Sequence, residues 1–166
     1  MEKEITEVYC GNGRGKTTLA IGQALRASSQ GKSVIIIQFL KGNERRELDF
    51  LEELDQLDIK IFRFEKMETC YDQLNEEEQV EEERNILNGL NFARKVIATQ
   101  ECDFLVLDEI LGLLDKHIAT GDMVVGLLKQ KDESMHLILT GNRVDPGILD
   151  YVDSVTTITT LGREQN

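Results

Sequence analysis

Two short runs of mostly apolar residues constrain the fold of this chain more than any other feature. The segment Ser33–Phe39 reads SVIIIQF, and the segment Phe104–Leu107 reads FLVL. Runs of this kind, without regular alternation of polar residues, are typical of strands that are buried on both faces of a sheet. Such a strand needs helices above and below it. The two runs therefore favour a parallel sheet that is covered on both sides.

The rest of the chain alternates between similar runs and longer segments with helical periodicity. This alternation indicates β-α-β units, and we predict a three-layer α/β fold with a mainly parallel sheet of about five or six strands. The 166 residues suit a single nucleotide-binding α/β domain over residues 1–166. The predicted strands are Ile5–Cys10, Ser33–Phe39, Ile59–Phe64, Phe104–Leu107, Met135–Thr140 and Ser154–Thr159; the predicted helices are Lys16–Gln30, Glu44–Leu54, Asn75–Thr99, Ile110–His117, Met123–Lys129 and Ile148–Tyr151.

Charge and cysteine content narrow the classes of function. The net charge is −12, from 19 Lys and Arg against 31 Asp and Glu. This disfavours binding to nucleic acid or to an anionic membrane, since both require a basic face. No apolar run approaches the ~18 residues of a membrane span, and the amino terminus has no apolar signal core. The three cysteines lie far apart, which favours reduced thiols, a cytoplasmic setting and no structural zinc site.

A glycine-rich segment separates the first predicted strand from the first predicted helix. Residues 10–18 read CGNGRGKTT. Glycines let the backbone curl so that its N–H groups approach phosphate oxygens, and the start of the following helix favours an anion. Cys10 stands where the strict phosphate-loop pattern has its first glycine, and Gly11 comes one residue late. The predicted nucleotide-binding residues of the loop are Gly11, Asn12, Gly13, Arg14, Gly15, Lys16, Thr17 and Thr18, with the Lys16 ammonium on the phosphates and the Thr17 hydroxyl on Mg²⁺.

A second motif supports the phosphate-loop interpretation. Phe104–Leu107 is followed by Asp108 and Glu109, which places two carboxylates at the carboxyl edge of the predicted sheet, where sites in parallel α/β folds lie. Proteins with phosphate loops use such an acid to hold Mg²⁺ or its water shell. Either motif alone is weak evidence, because glycine-rich turns and acids at strand ends are common. Together, with a predicted strand pair between them, they predict an Mg-nucleotide site in an inserted-strand, RecA-like P-loop fold.

The loop and several later segments resemble one family, the bacterial ATP:corrinoid adenosyltransferases of the CobA/BtuR/CobO type. The usual loop of that family, YTGNGKGKTT, shares the late first glycine with residues 9–18 of this chain. Residues 38–42, QFLKG, resemble the family's Gln-Phe-hydrophobic-Lys-Gly segment. Further similarity lies in Ala24–Ala27, Gly31–Gln38, Glu44–Glu47, Leu105–Glu109, Leu139–Gly141 and Leu149–Thr156, so that the resemblance covers most of residues 5–158.

The resemblance implies a reaction, its substrates and its partners. Enzymes of this type transfer the 5′-deoxyadenosyl group of ATP to the cobalt of a reduced corrinoid, and they leave tripolyphosphate. ATP lies reversed in their loop compared with kinases, so that C5′ faces the second substrate. A homodimer and a reductase that supplies Co(I) are also implied. By the same resemblance, the catalytic residues are Lys16, Thr17 and Glu109, the Mg²⁺ site contains Thr17, Asp108 and Glu109, and Gln38, Lys41 and Arg143 lie at the nucleotide.

One departure from the family pattern concerns aromatic residues. The family has a Gly-Phe-x-Trp segment after the third strand, whose aromatics help to displace the lower cobalt ligand. Residues 62–71 of this chain read FRFEKMETCY and contain no Trp. Phe62, Phe64, Met67 and Tyr71 are candidates for lining the apolar face of a corrinoid. The alternative is that Phe62 and Phe64 pack in the core, as alternating aromatic residues of a strand usually do.

Two further departures lie in the second half of the chain. The family's Thr-Gly-Arg becomes Thr140-Gly-Asn-Arg143, which displaces the guanidinium by one residue. The chain ends soon after the last predicted strand, so part of a lid over the nucleotide or corrinoid is expected to be absent or supplied by another subunit.

Two other functions remain open from the residues alone. An ordinary kinase or ATP-hydrolysing enzyme would use the same loop but release ADP or phosphate. A non-catalytic nucleotide-binding module with a decayed corrinoid site would fit the missing Trp and the early end of the chain. The residues thus predict nucleotide binding, and the resemblance favours corrinoid adenosylation.

Overall fold

A computed structural model describes residues 3–41 and 48–162, which form one six-stranded sheet in which all paired strands are parallel. The strands are β1 (Thr6–Cys10), β2 (Val34–Gln38), β3 (Ile59–Arg63), β4 (Phe104–Asp108), β5 (His136–Thr140) and β6 (Ser154–Thr157). The helices are α1 (Lys16–Ser29), α2 (Asp49–Glu52), α3 (Glu76–Thr99), α4 (Gly112–Asp115), α5 (Gly121–Gln130) and α6 (Pro146–Leu149). The predicted mainly parallel α/β fold is confirmed.

The order of strands across the sheet explains where the two motifs meet. The order is β3-β2-β4-β5-β1-β6, so that β5 is inserted between β1, which leads into the glycine-rich loop, and β4, which ends at Asp108. Because all the strands run in the same direction, their carboxyl ends lie along one edge of the sheet. The inserted-strand order agrees with the prediction, and it places the loop and Asp108 on the same edge.

Each central strand contributes to two cores, one on either face of the sheet. In β2, Ile35 and Ile37 pack in a cluster with α3 and α5, whereas Val34 and Ile36 pack with α1 and Leu51 of α2. Successive side chains of a strand point to opposite faces, so a run of apolar residues supplies both layers at once. The helices therefore cover both faces, as the two apolar runs predict.

The predicted helix Ile110–His117 is much shorter in the structure, where only α4 is helical. Glu109 has a left-handed backbone with φ 64°, and the Leu111 N–H donates to the Thr140 carbonyl oxygen at 3.2 Å. The chain therefore follows the edge of the sheet before it turns into a helix. At the other end, His117 with φ 57° stops the helical turn.

The predicted helix Glu44–Leu54 falls partly outside the described residues. The described part forms the single turn α2, while Gly42 and the Glu44–Glu47 segment of the family resemblance lie in the range that the structure leaves undescribed. Within the described ranges, no helix combines the length and the apolar character that a membrane span requires.

Candidate active site

The glycine-rich loop joins β1 to α1 and depends on two glycines with positive φ. Gly11 has φ 105°, and Gly15, the N-cap of α1, has φ 103°, a conformation that residues with a side chain rarely adopt. The Lys16 side chain folds back over the loop, where its ammonium donates to the carbonyl oxygens of Gly11 at 2.7 Å and Gly13 at 3.0 Å. The loop thus carries a cation at its centre. Its exposed residues are Asn12, Arg14, Gly15 and Thr18.

The segment that follows β6 lies against one side of the loop. The Gly13 N–H donates to the Ile158 carbonyl oxygen at 2.9 Å, and the Arg14 N–H donates to Thr160 Oγ1 at 2.8 Å. A Cβ atom on Gly11 would lie 2.3 Å from the Ile158 oxygen, and one on Gly13 would lie 2.6 Å from it. Both positions therefore require glycine for this close approach. No sequence pattern indicated the contact.

Asp108, the last residue of β4, is fully buried and is bound by four side chains. Its Oδ1 accepts hydrogen bonds from Thr17 Oγ1 at 3.0 Å and Thr140 Oγ1 at 2.8 Å. Its Oδ2 accepts one from Gln38 Nε2 at 3.1 Å and pairs with Lys41 Nζ at 3.0 Å. A buried carboxylate is costly unless it is paired and hydrogen-bonded. These donors therefore compensate for the burial of Asp108, and they bring three predicted site residues together around it.

Four strands end in a row of polar side chains at the carboxyl edge. In the register of the sheet, Gln38 lies beside both Arg63 and Asp108, and Thr140 ends the next strand, β5. Arg63 Nε donates to Gln38 Oε1 at 2.9 Å, so that hydrogen bonds join Arg63, Gln38, Asp108 and Thr140 in order. We call these four residues the edge row. Arg63 and Thr140 were not predicted as site residues. Thr140 ends an apolar run, which was a signal for it, whereas Arg63 lies within the predicted strand Ile59–Phe64 and no pattern marked it.

Lys41 places a cation among the predicted Mg²⁺ ligands. Its ammonium lies 3.0 Å from Thr17 Oγ1 and 3.0 Å from Asp108 Oδ2, and its side chain is only 10% exposed. Hydroxyl and carboxylate oxygens are the ligands that Mg²⁺ prefers, and it usually takes one or two carboxylates from the protein and the rest from phosphates and water. The oxygen atoms present here, with a cation already between them, fit a divalent ion. No group of three or more His, Cys, Asp and Glu able to hold a metal occurs among the residues that the structure describes.

Glu109 lies next to this cluster in a constrained position. Its backbone φ is 64°, and its N–H donates to Thr140 Oγ1 at 2.7 Å. Burial raises the pKa of the Glu109 carboxyl; the positive charge of Lys41 opposes this shift, and the negative charge of Asp108 adds to it. A partly buried carboxyl of this kind gains more from a nearby cation than a fully exposed one does, because water stabilises its charge less.

The Arg143 side chain contacts α4. Its guanidinium pairs with Asp115 at 2.8 Å, and its side chain is 79% exposed. The neighbouring Asn142 meets the loop instead, since its carbonyl oxygen accepts the Gly11 N–H at 2.9 Å. Arg143 therefore lies apart from the cluster around Asp108, and its contact with phosphate stays a prediction.

The aromatic residues in β3 and directly after it pack against α3. The ring centroids of Phe62 and Phe92 are 4.6 Å apart, and those of Phe64 and Phe92 are 5.4 Å apart. A Cβ on Gly89 would lie 3.0 Å from ring atoms of Phe64 and of Phe39, so α3 approaches these rings closely. This packing supports the core interpretation of Phe62 and Phe64.

A buried glutamate holds the segment that follows β3. Glu82 of α3 is 2% exposed, and its carboxylate accepts hydrogen bonds from the backbone N–H of Lys66 at 2.9 Å and of Met67 at 2.6 Å. Asn85 Nδ2 donates to it at 3.0 Å. This residue lies in an acidic run of the sequence, and nothing in that run distinguished it from its exposed neighbours. It fixes the segment that stands where the family resemblance has its aromatic residues.

Comparison with known structures supports the fold. The KaiC-like protein PH0186 from Pyrococcus horikoshii OT3 superimposes with a TM-score of 0.62 and 19% sequence identity, over 93% of this chain and 71% of that chain. At this identity the likeness concerns the fold alone. This likeness of fold and the inserted-strand order of the sheet together confirm the predicted RecA-like P-loop fold class.

Comparison of sequences identifies the family. The family model for the ATP:corrinoid adenosyltransferases BtuR/CobO/CobP matches residues 2–164. The chain is 31% identical over 160 residues to the corrinoid adenosyltransferase of Escherichia coli (strain K12). This alignment covers 93% of this chain and 76% of that protein. It is 28% identical over 158 residues to corrinoid adenosyltransferase CobA of Salmonella typhimurium, with the same shares covered. The chain that carries this loop and edge row belongs to the corrinoid adenosyltransferases, a family of enzymes that act on ATP and corrinoids.

Proposed function

We propose that this protein transfers the 5′-deoxyadenosyl group of Mg-ATP to the cobalt of a reduced corrinoid and releases tripolyphosphate. The observation that carries the proposal is the family match over nearly the whole chain. The geometry is consistent with it, because the loop and the carboxyl edge bring together the cations and oxygen ligands that a nucleotide triphosphate requires.

The loop and Lys16 are suited to holding the triphosphate. In the structure the Lys16 ammonium is bound to two carbonyl oxygens of the loop, which are weaker partners for a cation than phosphate oxygens. We expect the ammonium to move onto the phosphates when ATP binds. Negative charge grows on the leaving oxygen as the C5′–O bond breaks, and fixed N–H donors and cations at that place lower the barrier.

Thr17, Asp108 and Glu109 are the residues that would hold Mg²⁺. When bound, the ion would neutralise part of the triphosphate charge. Thr17 donates its hydroxyl hydrogen to Asp108, which leaves oxygen lone pairs for a metal. The Lys41 ammonium has to leave Thr17 Oγ1 at that moment, because two cations repel strongly at such a distance. It then becomes available to phosphate oxygens, in agreement with the prediction of Lys41 as a nucleotide-binding residue.

The reaction requires little acid or base chemistry from the protein. The electron pair of Co(I) forms the bond to C5′, the C5′–O bond breaks, and its electrons leave with tripolyphosphate. Cobalt is thereby oxidised to Co(III), and no proton is transferred. The protein contributes by aligning cobalt with C5′ and by neutralising the leaving group.

The proposal includes partners and a setting. Co(I) is a strong reductant, so we expect a reductase to supply it at the site. A homodimer and a cytoplasmic setting, where ATP is available, complete the proposal. All three are predictions from the resemblance and from residue chemistry.

An anaerobic assay tests the proposed function. The purified protein is mixed with Mg-ATP and chemically reduced cobalamin or cobinamide, the corrinoid spectrum is followed, and the phosphate products are separated. We expect the adenosylated corrinoid and tripolyphosphate in equal amounts. Release of ADP or orthophosphate without a cobalt–carbon bond would refute the proposal in favour of a kinase or hydrolase. Tight ATP binding with no product from any reduced corrinoid would instead indicate a non-catalytic nucleotide-binding module.

A further inference from the structure

The edge row contains a residue for which the proposed function has given no role. Arg63 lies two strands away from Asp108, and Gln38 lies between them in the register of the sheet. Its Nε donates to Gln38 Oε1 at 2.9 Å, and the other end of the same amide, Nε2, donates to Asp108 Oδ2 at 3.1 Å. Gln38 is 2% exposed and Asp108 is fully buried. A buried amide therefore connects the Arg63 guanidinium with the metal-site carboxylate.

The directions of these two hydrogen bonds fix the orientation of the Gln38 side-chain amide. A guanidinium can only donate and an ionised carboxylate can only accept, so the two neighbours of Gln38 demand the same orientation of its oxygen and nitrogen. A charge at either end also polarises the amide and strengthens both bonds. Without Arg63, the buried side-chain oxygen of Gln38 would lose the hydrogen bond from Nε, and an unsatisfied buried acceptor costs more free energy than an exposed one.

We propose that Arg63 is a positioning residue for the metal-nucleotide site, which acts through Gln38 to hold Asp108 in place for Mg²⁺. The proposal rests on the proposed use of Mg-ATP by this site. Groups that orient a metal ligand typically affect metal affinity or activity by 10- to 100-fold when they are removed, which is about as much as many direct contacts.

The second partner of Arg63 provides a matched control. Arg63 Nη1 lies 3.3 Å from Asp49 Oδ1, and the Asp49 side chain is 50% exposed. An ion pair at such an exposed carboxylate contributes little. Replacing Asp49 removes this pair and leaves the bond from Nε to Gln38 in place. The two contacts of one guanidinium can thus be separated by substitution.

The test measures the affinity for ATP by calorimetry, with Mg²⁺ and with EDTA in its place. The ratio of the two affinities reports how strongly the metal and the nucleotide support each other. We expect Arg63→Met to lower this ratio by about tenfold, with metal-free ATP bound as in the unsubstituted protein because the loop is intact. Asp49→Asn should leave the ratio unchanged. Damage to the fold would instead weaken ATP binding with and without the metal.

Two further variants keep the test decisive if Arg63→Met is unstable. Arg63→Lys keeps a donor that can reach Gln38 but lacks the planar fork of the guanidinium, so we expect a loss of about threefold in the ratio, within the partial effects seen for such donors. Gln38→Leu should reduce the ratio as much as Arg63→Met does. The double variant of Arg63→Met and Gln38→Leu should have the same ratio as Gln38→Leu alone, because both substitutions break the same chain of hydrogen bonds to Asp108.

An unchanged ratio in Arg63→Met or Arg63→Lys would overturn the inference. So would additive losses in the double variant, or a wild-type protein whose ATP affinity does not depend on Mg²⁺. Corrinoid plays no part in this measurement. If the wild type shows the Mg²⁺ effect but adenosylates no corrinoid, the proposed function fails and the role of Arg63 is still decided by the ratio.

Discussion

The strand β5 carries a polar network at each of its ends, and the two networks differ in a way that separates function from stability. At the carboxyl end, Thr140 binds the buried carboxylate of Asp108, which is surrounded by donors. At the amino end, His136 lies between two carboxylates, with Nδ1 3.2 Å from Glu4 Oε2 and Nε2 2.7 Å from Glu7 Oε2. Its ring also stacks on Phe104 at 4.6 Å.

The two networks differ in the group at their centre and in whether a bound ligand could take the place of one of their partners. The carboxyl-edge network has a buried acceptor at its centre and a cation, Lys41, at the position that we propose for Mg²⁺. The amino-edge network has the His136 ring between two partly exposed carboxylates, and Lys32 is bound to Glu4 as well. A network of mutually bonded side chains at the surface can stabilise the sheet without any ligand. A network that confines an acid between replaceable partners is suited to binding.

The largest effect is expected where the loop meets the triphosphate. Lys16→Ala removes the ammonium that now lies 2.7 Å from the Gly11 oxygen, and with it a charged partner for the phosphates. We expect ATP affinity, measured by calorimetry, to fall by about a hundredfold. Lys32→Ala at the amino edge is the matched control and should bind ATP normally. Equal affinities of the two variants would show that the loop does not hold the phosphates.

Glu109→Gln should reduce activity strongly and leave the fold intact. Because the pKa of Glu109 is raised from 4.5 in the folded protein, the folded state binds this proton more tightly than the unfolded state does. The free energy of unfolding of the wild type therefore falls as pH rises from the unfolded-state pKa of Glu109 through its raised folded-state pKa. The variant has no ionisable group at this position and lacks this loss. We expect adenosylation to fall by at least about tenfold, with equal or higher stability at pH 7 in urea unfolding. Lower stability at pH 7 would contradict the burial argument.

Lys41→Met should reveal the metal site without nucleotide. The substitution leaves the carboxylate of Asp108 without its closest cation, so the melting temperature in EDTA should fall by several degrees, as expected for a loss of about 1–2 kcal/mol. Mg²⁺ should restore part of this loss and raise the melting temperature more in the variant than in the wild type. A smaller rise in the variant would mean that Lys41 does not occupy the position of the ion.

The smallest effect is expected at the amino edge. The hydrogen bond from Lys32 lowers the pKa of Glu4 below its usual 4.5; burial opposes this shift, and the contact with His136 adds to it. A lowered folded pKa contributes stability that is present above the unfolded pKa and is lost as pH falls through the folded one. Glu4→Gln should therefore cost about 1 kcal/mol or less at neutral pH and nothing in acid, by urea unfolding. A change in Mg-ATP affinity of this variant would remove the distinction between the two edges.

Much of the fold followed from local patterns in the sequence. Apolar runs such as Ser33–Phe39 can only be satisfied inside a covered sheet, so the strands and the parallel arrangement were predictable. The loop and Asp108 were found because their chemistry is tied to short motifs. The predicted helix Ile110–His117 was too long because hydrogen bonds to the edge of the sheet, such as that from Leu111 to Thr140, compete with the helix.

The missed residues depend on contacts between distant parts of the chain. Arg63 gains its place from the register of β3 against β2, and Glu82 from the approach of α3 to the segment after β3. Neither belongs to a motif, and both resemble ordinary surface charges in the sequence. The exposed position of Arg143 beside Asp115 likewise depends on where α4 lies.

The contact between the loop and the segment after β6 changes how the glycine pattern of such loops is understood. Cys10, which stands in place of the usual first glycine, is buried, and its Sγ lies 3.6 Å from Thr157 Oγ1. Gly13, whose φ is not in the left-handed region, excludes a side chain only because residues 158–160 lie beside it. Part of the glycine spacing in this motif thus records the course of the protein's own chain rather than the shape of a phosphate. A search pattern built from ligand contacts alone will therefore pass over loops of this kind, and an alanine at Gly13 would be excluded even in a protein that binds no nucleotide.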